Sequence, residues 1–307
     1  MTTRSGSTRE GHLERTSHEP RDASLRNVTL AAVEEINRNI RTYRLEVLGH
    51  DTIRFLPGQW VDLYVPTVPK AGGFTITSSP AQASSEGYVE LAIKESPDNP
   101  VAAWLWRSIS DIIGSTLRIR VGGSFIWPPV NIDISSLSKV VFVASGMGIN
   151  PIISMLSWLH NQNDLGFEVE VLYSIRRDDV PIQAERLLFV ERLVRMFEGI
   201  GQATGDTQGS RMARKLPGRL RIFLTNSGLS SQTYAIPCAA LGKELNTRCE
   251  LRRMSPRDVS EAVGADKDSA LVYVCGVPAM TDEFIEYLIS QDGAGMDMAR
   301  VLFERWW

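Results

Sequence analysis

The run Ala144-Ser145-Gly146-Met147-Gly148-Ile149-Asn150-Pro151 joins an apolar stretch, Lys139 to Ala144, to a stretch with helical spacing, Pro151 to Gln162. Glycines at 146 and 148 permit backbone angles closed to other residues and remove Cβ from any approach path. Asn150 suits an N-cap and Pro151 a first helical position. A helix starting there aims unpaired N–H groups and a positive dipole end at whatever fills the turn, and a diphosphate suits that place. The same residues equally suit a tight strand–helix connection with no ligand. Pro151 stands where the usual Gly-x-Gly-x-x-Gly fingerprint has its third glycine. If the turn is an approach path, Gly148→Val blocks it with little loss of fold.

Other chemistry is limited by count. Cys238, Cys249 and Cys275 are too few for a Cys-only iron–sulfur cluster or zinc site, and too scattered for a disulfide framework. A reducing compartment follows. Lys plus Arg number 33 against 36 Asp plus Glu, a net charge of −3, so no excess charge exists to meet a phosphate backbone and nucleic acid is excluded as a main partner. No apolar run approaches the ~20 residues of a membrane-spanning helix.

The elements that must position the turn divide the 307 residues into about two domains. Residues 1–27 read as a flexible polar tail with Leu13 and Leu25 nearly alone among charges. The tail lacks the apolar core of a secretory signal. Its arginines fit a mitochondrial transit peptide and its acids do not, so an intracellular protein, cytoplasmic or mitochondrial, is expected. From 28 to 130, short β-branched and aromatic runs alternate with turn residues, the grammar of an antiparallel barrel. The runs are Thr29–Ile36, Ile40–Leu48, Gln59–Val65, Phe74–Thr77, Tyr88–Lys94 and Thr116–Val121, with a short helix around 102–106 and separators at 66–73 and 81–87. Val61, Leu63 and Val65 fall on one face by alternation. From 131 to 307, strands (139–144, 167–173, 219–225, 270–275, 300–303) alternate with helices (151–162, 184–197, 280–290), which implies a parallel sheet. The polar stretch 199–218 reads as a surface loop.

Several segments together resemble the ferredoxin–NADP⁺ reductase superfamily, and within it the oxidoreductase NAD-binding domain-containing protein group. They are Leu56-Pro-Gly-Gln-Trp60, Gly72-Gly-Phe-Thr-Ile-Thr-Ser-Ser-Pro80, Ser145 to Pro151, Cys275-Gly-Val-Pro-Ala-Met280 and Phe303-Glu-Arg-Trp-Trp307. The resemblance implies an antiparallel flavin-binding barrel followed by a Rossmann-like nucleotide domain. It implies FAD with NAD or NADP, and an external electron acceptor it does not identify. In the superfamily the barrel carries Arg-x-Tyr-Ser/Thr, and Gly72, Gly73, Phe74 and Thr75 stand in those places. Phe74 is then expected to stack on the flavin and Thr75 to address its N5. Gly72 replaces the arginine that pairs with the flavin phosphate, with Lys70 or Lys94 as substitutes. The second phosphate segment corresponds to Asn99-Pro100-Val101-Ala102-Ala103-Trp104 and lacks its serine. Ser145, Gly146, Met147, Gly148, Ile149, Asn150 and Pro151 match the turn under the cofactor diphosphate. Cys275, Gly276, Val277 and Pro278 match the turn beside the nicotinamide, with Cys275 and Glu304 at the hydride-transfer centre. Arg176 or Arg177 would meet the adenosine half. Trp306 and Trp307 would cover the flavin ring or pack on the barrel. The alternative is a non-catalytic nucleotide-binding protein with a weakened flavin site.

Overall fold

A computed structural model describes residues 11–47, 53–176, 182–200, 214–225, 233–238, 243–244, 247 and 249–305. The N-terminal half contains a short helix α1 (His12–Arg15) and strands β1 (Arg26–Asn37), β2 (Ile40–Val47), β3 (Trp60–Tyr64), β4 (Gly72–Thr75), β5 (Tyr88–Lys94) and β6 (Thr116–Gly122). Helices α2 (Pro80–Glu86), α3 (Pro100–Leu105) and α4 (Ile109–Ile112) interrupt them. The strands form one antiparallel sheet in the order β4-β3-β6-β1-β2-β5. A bridge between Ile76 and Leu91 brings its two edges together, so the sheet curls into a barrel. Val61, Leu63 and Val65 all enter its core. The separator at 81–87 is instead α2, started by Ser79, which accepts from Gln82 N while Gln82 returns a bond to Ser79 N.

The second half follows as β7 (Lys139–Ser145), α5 (Ile149–His160), β8 (Glu168–Arg176), α6 (Val190–Glu198), β9 (Gly218–Thr225), β10 (Thr233–Tyr234), β11 (Pro237–Cys238), β12 (Lys243–Glu244), β13 (Cys249–Glu250), α7 (Pro256–Val263), β14 (Ala270–Gly276), α8 (Pro278–Ile289) and β15 (Val301–Arg305). The main sheet runs β10-β13-β9-β8-β7-β14-β15, parallel except for the edge strand β10. Strand β7 explains its own apolar run. Val140, Phe142 and Ala144 enter the core on one face, and Val141 and Val143 the core on the other. The helix expected over 184–197 is shorter, because Phe189 takes a left-handed φ of 59° immediately before α6. Among the described residues, no helix is long and apolar enough to cross a membrane.

The two halves share a core. Ala92, Phe125 and Trp127 from the barrel side pack in the same cluster as Ile149, Ile152, Ile153 and Leu156 of α5. Polar side chains lace the seam. Asn150 Nδ2 donates to the Ala92 carbonyl (2.9 Å), and Ser154 Oγ to the Ser78 carbonyl (2.7 Å). Arg192 of α6 reaches Glu90 (3.1 Å), Gln82 (3.3 Å) and Ser157 (2.8 Å). Glu90 in turn accepts from Thr77 (2.7 Å).

The flexible tail is corrected over residues 11–27. This segment is a strap laid across β3, β4 and β6. Asp22 N donates to Val121 O (2.9 Å), Gly123 N to Pro20 O (3.0 Å), and Arg21 bridges Gly122. Its anchor is Asp62, fully buried and held by His12 Nε2 (2.9 Å), Arg21 Nε (3.1 Å) and Arg120 Nη2 (2.6 Å). Burial pulls the Asp62 carboxyl upward, but the hydrogen bonds from His12 and Arg120 and the charge of Arg21 outweigh it and hold it below the usual range. Leu13 and Leu25 stay exposed, so charge rather than apolar burial fastens the strap.

Candidate active site

Strand β7 ends at Ser145, and a tight turn over Gly146–Gly148 leads into α5. The two glycines have different reasons. Gly146 takes φ 55°, and a Cβ built there would meet nothing within 4 Å, so the turn is open at that point. A Cβ on Gly148 would run into the carbonyl of Cys275, with Gly276 N only 2.8 Å away. Gly148 therefore lets the helix start lie on the end of β14. Gly148→Val is a packing lesion, which corrects the expectation of little loss of fold. Asn150 is also corrected: Gly148 is the N-cap, Asn150 lies inside the first helical turn, and its side chain crosses the seam instead of capping. Pro151 follows within that turn, where a missing N–H costs nothing. Ile149 and Pro151 are buried, Met147 packs partly on the core, and Ser145 sits half-buried opposite Ser174. Tyr173 Oη donates to the Gly146 carbonyl (3.3 Å) and steadies the turn.

Cys275 is fully buried in β14, flanked in register by Ala144 on one side and Glu304 on the other. Burial pushes its thiol well above the ordinary range, and the Glu304 charge pushes the same way. Burial of this kind disfavours the thiolate, the form in which a cysteine attacks. A Cβ on Gly276 would press on Met280 Cε (2.7 Å) and Ser145 Cβ (3.0 Å), so the ends of β7 and β14 touch. Val277 is 54 % exposed beyond them, and Pro278 opens α8. Glu304 is partly exposed.

Strand β4 has a different character. A Cβ on Gly72 would lie 2.6 Å from the Phe74 ring and 3.0 Å from Val101. Phe74 thus folds back over Gly72 as part of the barrel core. On the other face, a Cβ on Gly73 would run into the His12 ring. The first amides of α3 are capped by Asn99 Oδ1, from Val101 N (3.1 Å) and Ala102 N (3.2 Å). Lys70 and Lys94 are exposed on the barrel surface. Thr75 is 1 % exposed, and its Oγ1 has no hydrogen-bond partner among the described residues.

Thr75 and the glycine turn are linked through the edge of the barrel. Thr75 precedes Ile76, which bridges to Leu91 of β5. Ala92, the next residue, holds Asn150. Asn150 Oδ1 is also buried and without a partner. The structure therefore brings Asn150, Gly146, Gly148, Ser145, Cys275, Gly276 and Glu304 to adjoining strand and helix ends, with Thr75 linked to them through Ile76, Leu91 and Ala92, while Gly72, Gly73 and Phe74 are enclosed by other residues. Arg176 ends β8 opposite Thr225, exposed. Arg177, Trp306 and Trp307 lie outside the described residues. The His12–Asp62 anchor and the Arg192 clamp were not legible in advance. Isolated charges among polar residues carry no period.

Residues 27–122 match the family model of the oxidoreductase FAD-binding domain. Over 99 % of its length, and 86 % of the relative's, the chain is 28 % identical to "Oxidoreductase NAD-binding domain-containing protein 1" of Xenopus laevis. Among solved structures it is similar to a "Ferredoxin reductase in carbazole 1,9a-dioxygenase", with TM-score 0.62 and 15 % identity over 92 % of this chain and 70 % of that one. It is also similar to a ferredoxin NADP⁺ reductase from Neisseria gonorrhoeae described with bound FAD and NADP, with TM-score 0.61 and 15 % identity over 92 % of this chain and 99 % of that one.

Proposed function

We propose that this chain, which is similar to members of the ferredoxin–NADP⁺ reductase superfamily, is an NAD(P)H-dependent flavin oxidoreductase that passes electrons to an external acceptor. The observation that carries this reading is the buried, partner-free hydroxyl of Thr75 beside the seam. Sealing a hydroxyl away unsatisfied costs ~1–3 kcal/mol, so its natural complement is a polar atom of a bound ring. The residues around Thr75 fit a flavin in this respect, and FAD when bound supplies the two-electron chemistry between nicotinamide and acceptor.

The chain's own residues then divide the work. Ser145 to Pro151 would seat the diphosphate of NADH or NADPH: Gly146 leaves the path clear, and the first N–H groups of α5 meet the negative charge. Thr75 would donate to the ring and fix its tilt. Cys275, whose burial disfavours the thiolate, would give the nicotinamide an apolar wall without competing for it. Glu304, in register with Cys275, would border the same centre. Trp306 and Trp307 are assigned to the cover of the ring, and Arg176 to the adenosine end. The domain division proposed with this reading is a flavin barrel at 28–130, with the strap of residues 11–27 laid on it, and a nucleotide domain at 131–307.

One observation favours the second reading, a nucleotide-binding protein without catalysis. Gly72 offers no cation, Phe74 and Val101 occupy the ground around it, and Asn99 caps the first amides of α3. A visible spectrum separates the two. Flavin bands that bleach on adding NADH or NADPH support the reductase. A protein that stays colourless with added FAD supports the binder.

A further inference from the structure

Three side chains of α5 face the barrel at helical spacing: Asn150, Ser154 and Ser157. Ser154 and Ser157 are satisfied. Ser154 donates to Ser78 O, and Ser157 donates to Ile153 O (2.6 Å) while accepting from Arg192. Asn150 differs. Its Nδ2 is spent on Ala92 O, yet its Oδ1 is sealed in a residue 5 % exposed with no partner among the described residues. A carbonyl oxygen buried this way costs stability, and asparagine is a poor helix former besides. An apolar residue would pack the same place without either penalty. The acceptor also stands at the start of a 12-residue helix, beside the open glycine turn. The second orphaned oxygen, Thr75 Oγ1, lies on the barrel strand whose next residue, Ile76, bridges to β5 beside Ala92.

We propose that Asn150 is a positioning residue whose Oδ1 accepts a hydrogen bond from an N–H on a planar ring held at the seam between the two domains. The inference rests on the reductase reading. The chemistry required is a ring-bound N–H donor, which either the nicotinamide carboxamide or the imide of the isoalloxazine supplies. Neither orphaned atom reaches solvent, so the ring reaches Oδ1 only as neighbouring side chains shift, the Asn150–Ala92 bond staying intact. The Asn150–Ala92 bond keeps the carboxamide oriented, with Nδ2 to the barrel and Oδ1 to the ring.

The test compares wild type with Asn150→Ala, Asn150→Leu and Ser154→Ala in the full chain supplied with FAD. Two analogues remove the donor. In 3-acetylpyridine adenine dinucleotide the carboxamide N–H is absent, and in N3-methyl FAD the imide N–H is blocked. Wild type should bind one of these about tenfold more weakly than its parent, the size of one lost hydrogen bond of ~1.4 kcal/mol. Asn150→Ala should bind analogue and parent alike, and Ser154→Ala, which loosens the seam without touching the acceptor, should keep the wild-type preference. Loss of preference toward the nicotinamide analogue names the carboxamide as donor, and loss toward the flavin analogue names the imide. Asn150→Leu keeps the volume should the alanine variant fail to fold, and the wild-type preference needs no variant at all. Equal binding of parents and analogues by wild type overturns the proposal, as does a Ser154→Ala effect equal to that of Asn150→Ala. A wild-type protein that binds neither FAD nor NAD(P)H overturns the reductase reading instead.

Discussion

The glycines at 146 and 148 and the pair at 72 and 73 look alike on paper and sit in opposite surroundings. At Gly146 the missing side chain leaves open space, and at Gly148 it lets two backbones touch. At Gly72 and Gly73 the space is already filled, by the Phe74 ring on one face and the His12 ring on the other. A glycine thus marks an approach path only where nothing of the chain itself has moved in. By that measure the nucleotide side is open for a ligand, and the β4 side is built around its own aromatic rings.

The largest effect should come from Gly148→Val. Its Cβ meets the backbone of β14, which cannot swing aside, so the cost lies at or above the top of the ~1–3 kcal/mol of ordinary overpacking. Thermal unfolding should show a fall of several degrees or loss of soluble protein. Gly146→Asn is the matched probe. Asparagine tolerates the left-handed φ, so the fold should survive while its side chain projects into the open approach and weakens NADH or NADPH binding at least tenfold. A Gly148→Val protein as stable as wild type would erase the distinction between the two glycines.

Next comes the strap. Asp62→Ala leaves the Arg21 and Arg120 guanidiniums without their shared carboxylate, a change of about 3 kcal/mol for a buried pair. Limited proteolysis should then cut within 11–25 at neutral pH. The pH dependence has a fixed sign. Asp62 titrates lower in the folded protein than its unfolded value of 3.8, so its contribution is fully present above that value and is lost as pH falls through the folded one. Wild type should therefore release the strap only in acid, where Asp62→Ala shows no further change. Gly73→Leu should free the strap from the other direction, by displacing His12 from β4, with a smaller loss of stability than Asp62→Ala. Amide exchange over 12–22 reads both variants.

How much of this was legible follows from which forces leave a pattern. The core strands of both sheets announced themselves by alternation or by an apolar run, because burial on one face or two dictates the period, as Val61-Leu63-Val65 and β7 show. The helix α2 leaves only a capping signal, Ser79-Pro80-x-Gln82, in the sequence, since its residues carry little apolar surface. The strap resembles a tail in sequence for the same reason. It is fastened by a histidine and two arginines on a single aspartate, and such contacts have no period to read. On the candidate site, the motif residues of the glycine turn and of 275–278 do converge, because strand ends in a parallel sheet bring them together. What spacing could not reveal was direction: that Asn150 turns toward the barrel, and that Phe74 turns back on Gly72.

The smallest change tests the barrel side most sharply. Thr75→Val exchanges a buried hydroxyl that has no partner for a methyl of similar shape. In the protein without ligand this should leave stability unchanged or raise it by up to ~1 kcal/mol, because no hydrogen bond is lost and a desolvated polar group is removed. Were Thr75 merely a core residue of β4, flavin affinity and the visible spectrum would be untouched as well. If the hydroxyl meets a bound ring, the same variant should bind FAD several-fold more weakly and show displaced flavin bands, while Thr75→Ser restores both. A stability gain joined to a loss of flavin binding would mean that the β4 side, for all its filled glycines, keeps one polar atom in reserve for a ligand. A gain with no loss would leave the nucleotide turn as the only open half of the site and favour the non-catalytic reading.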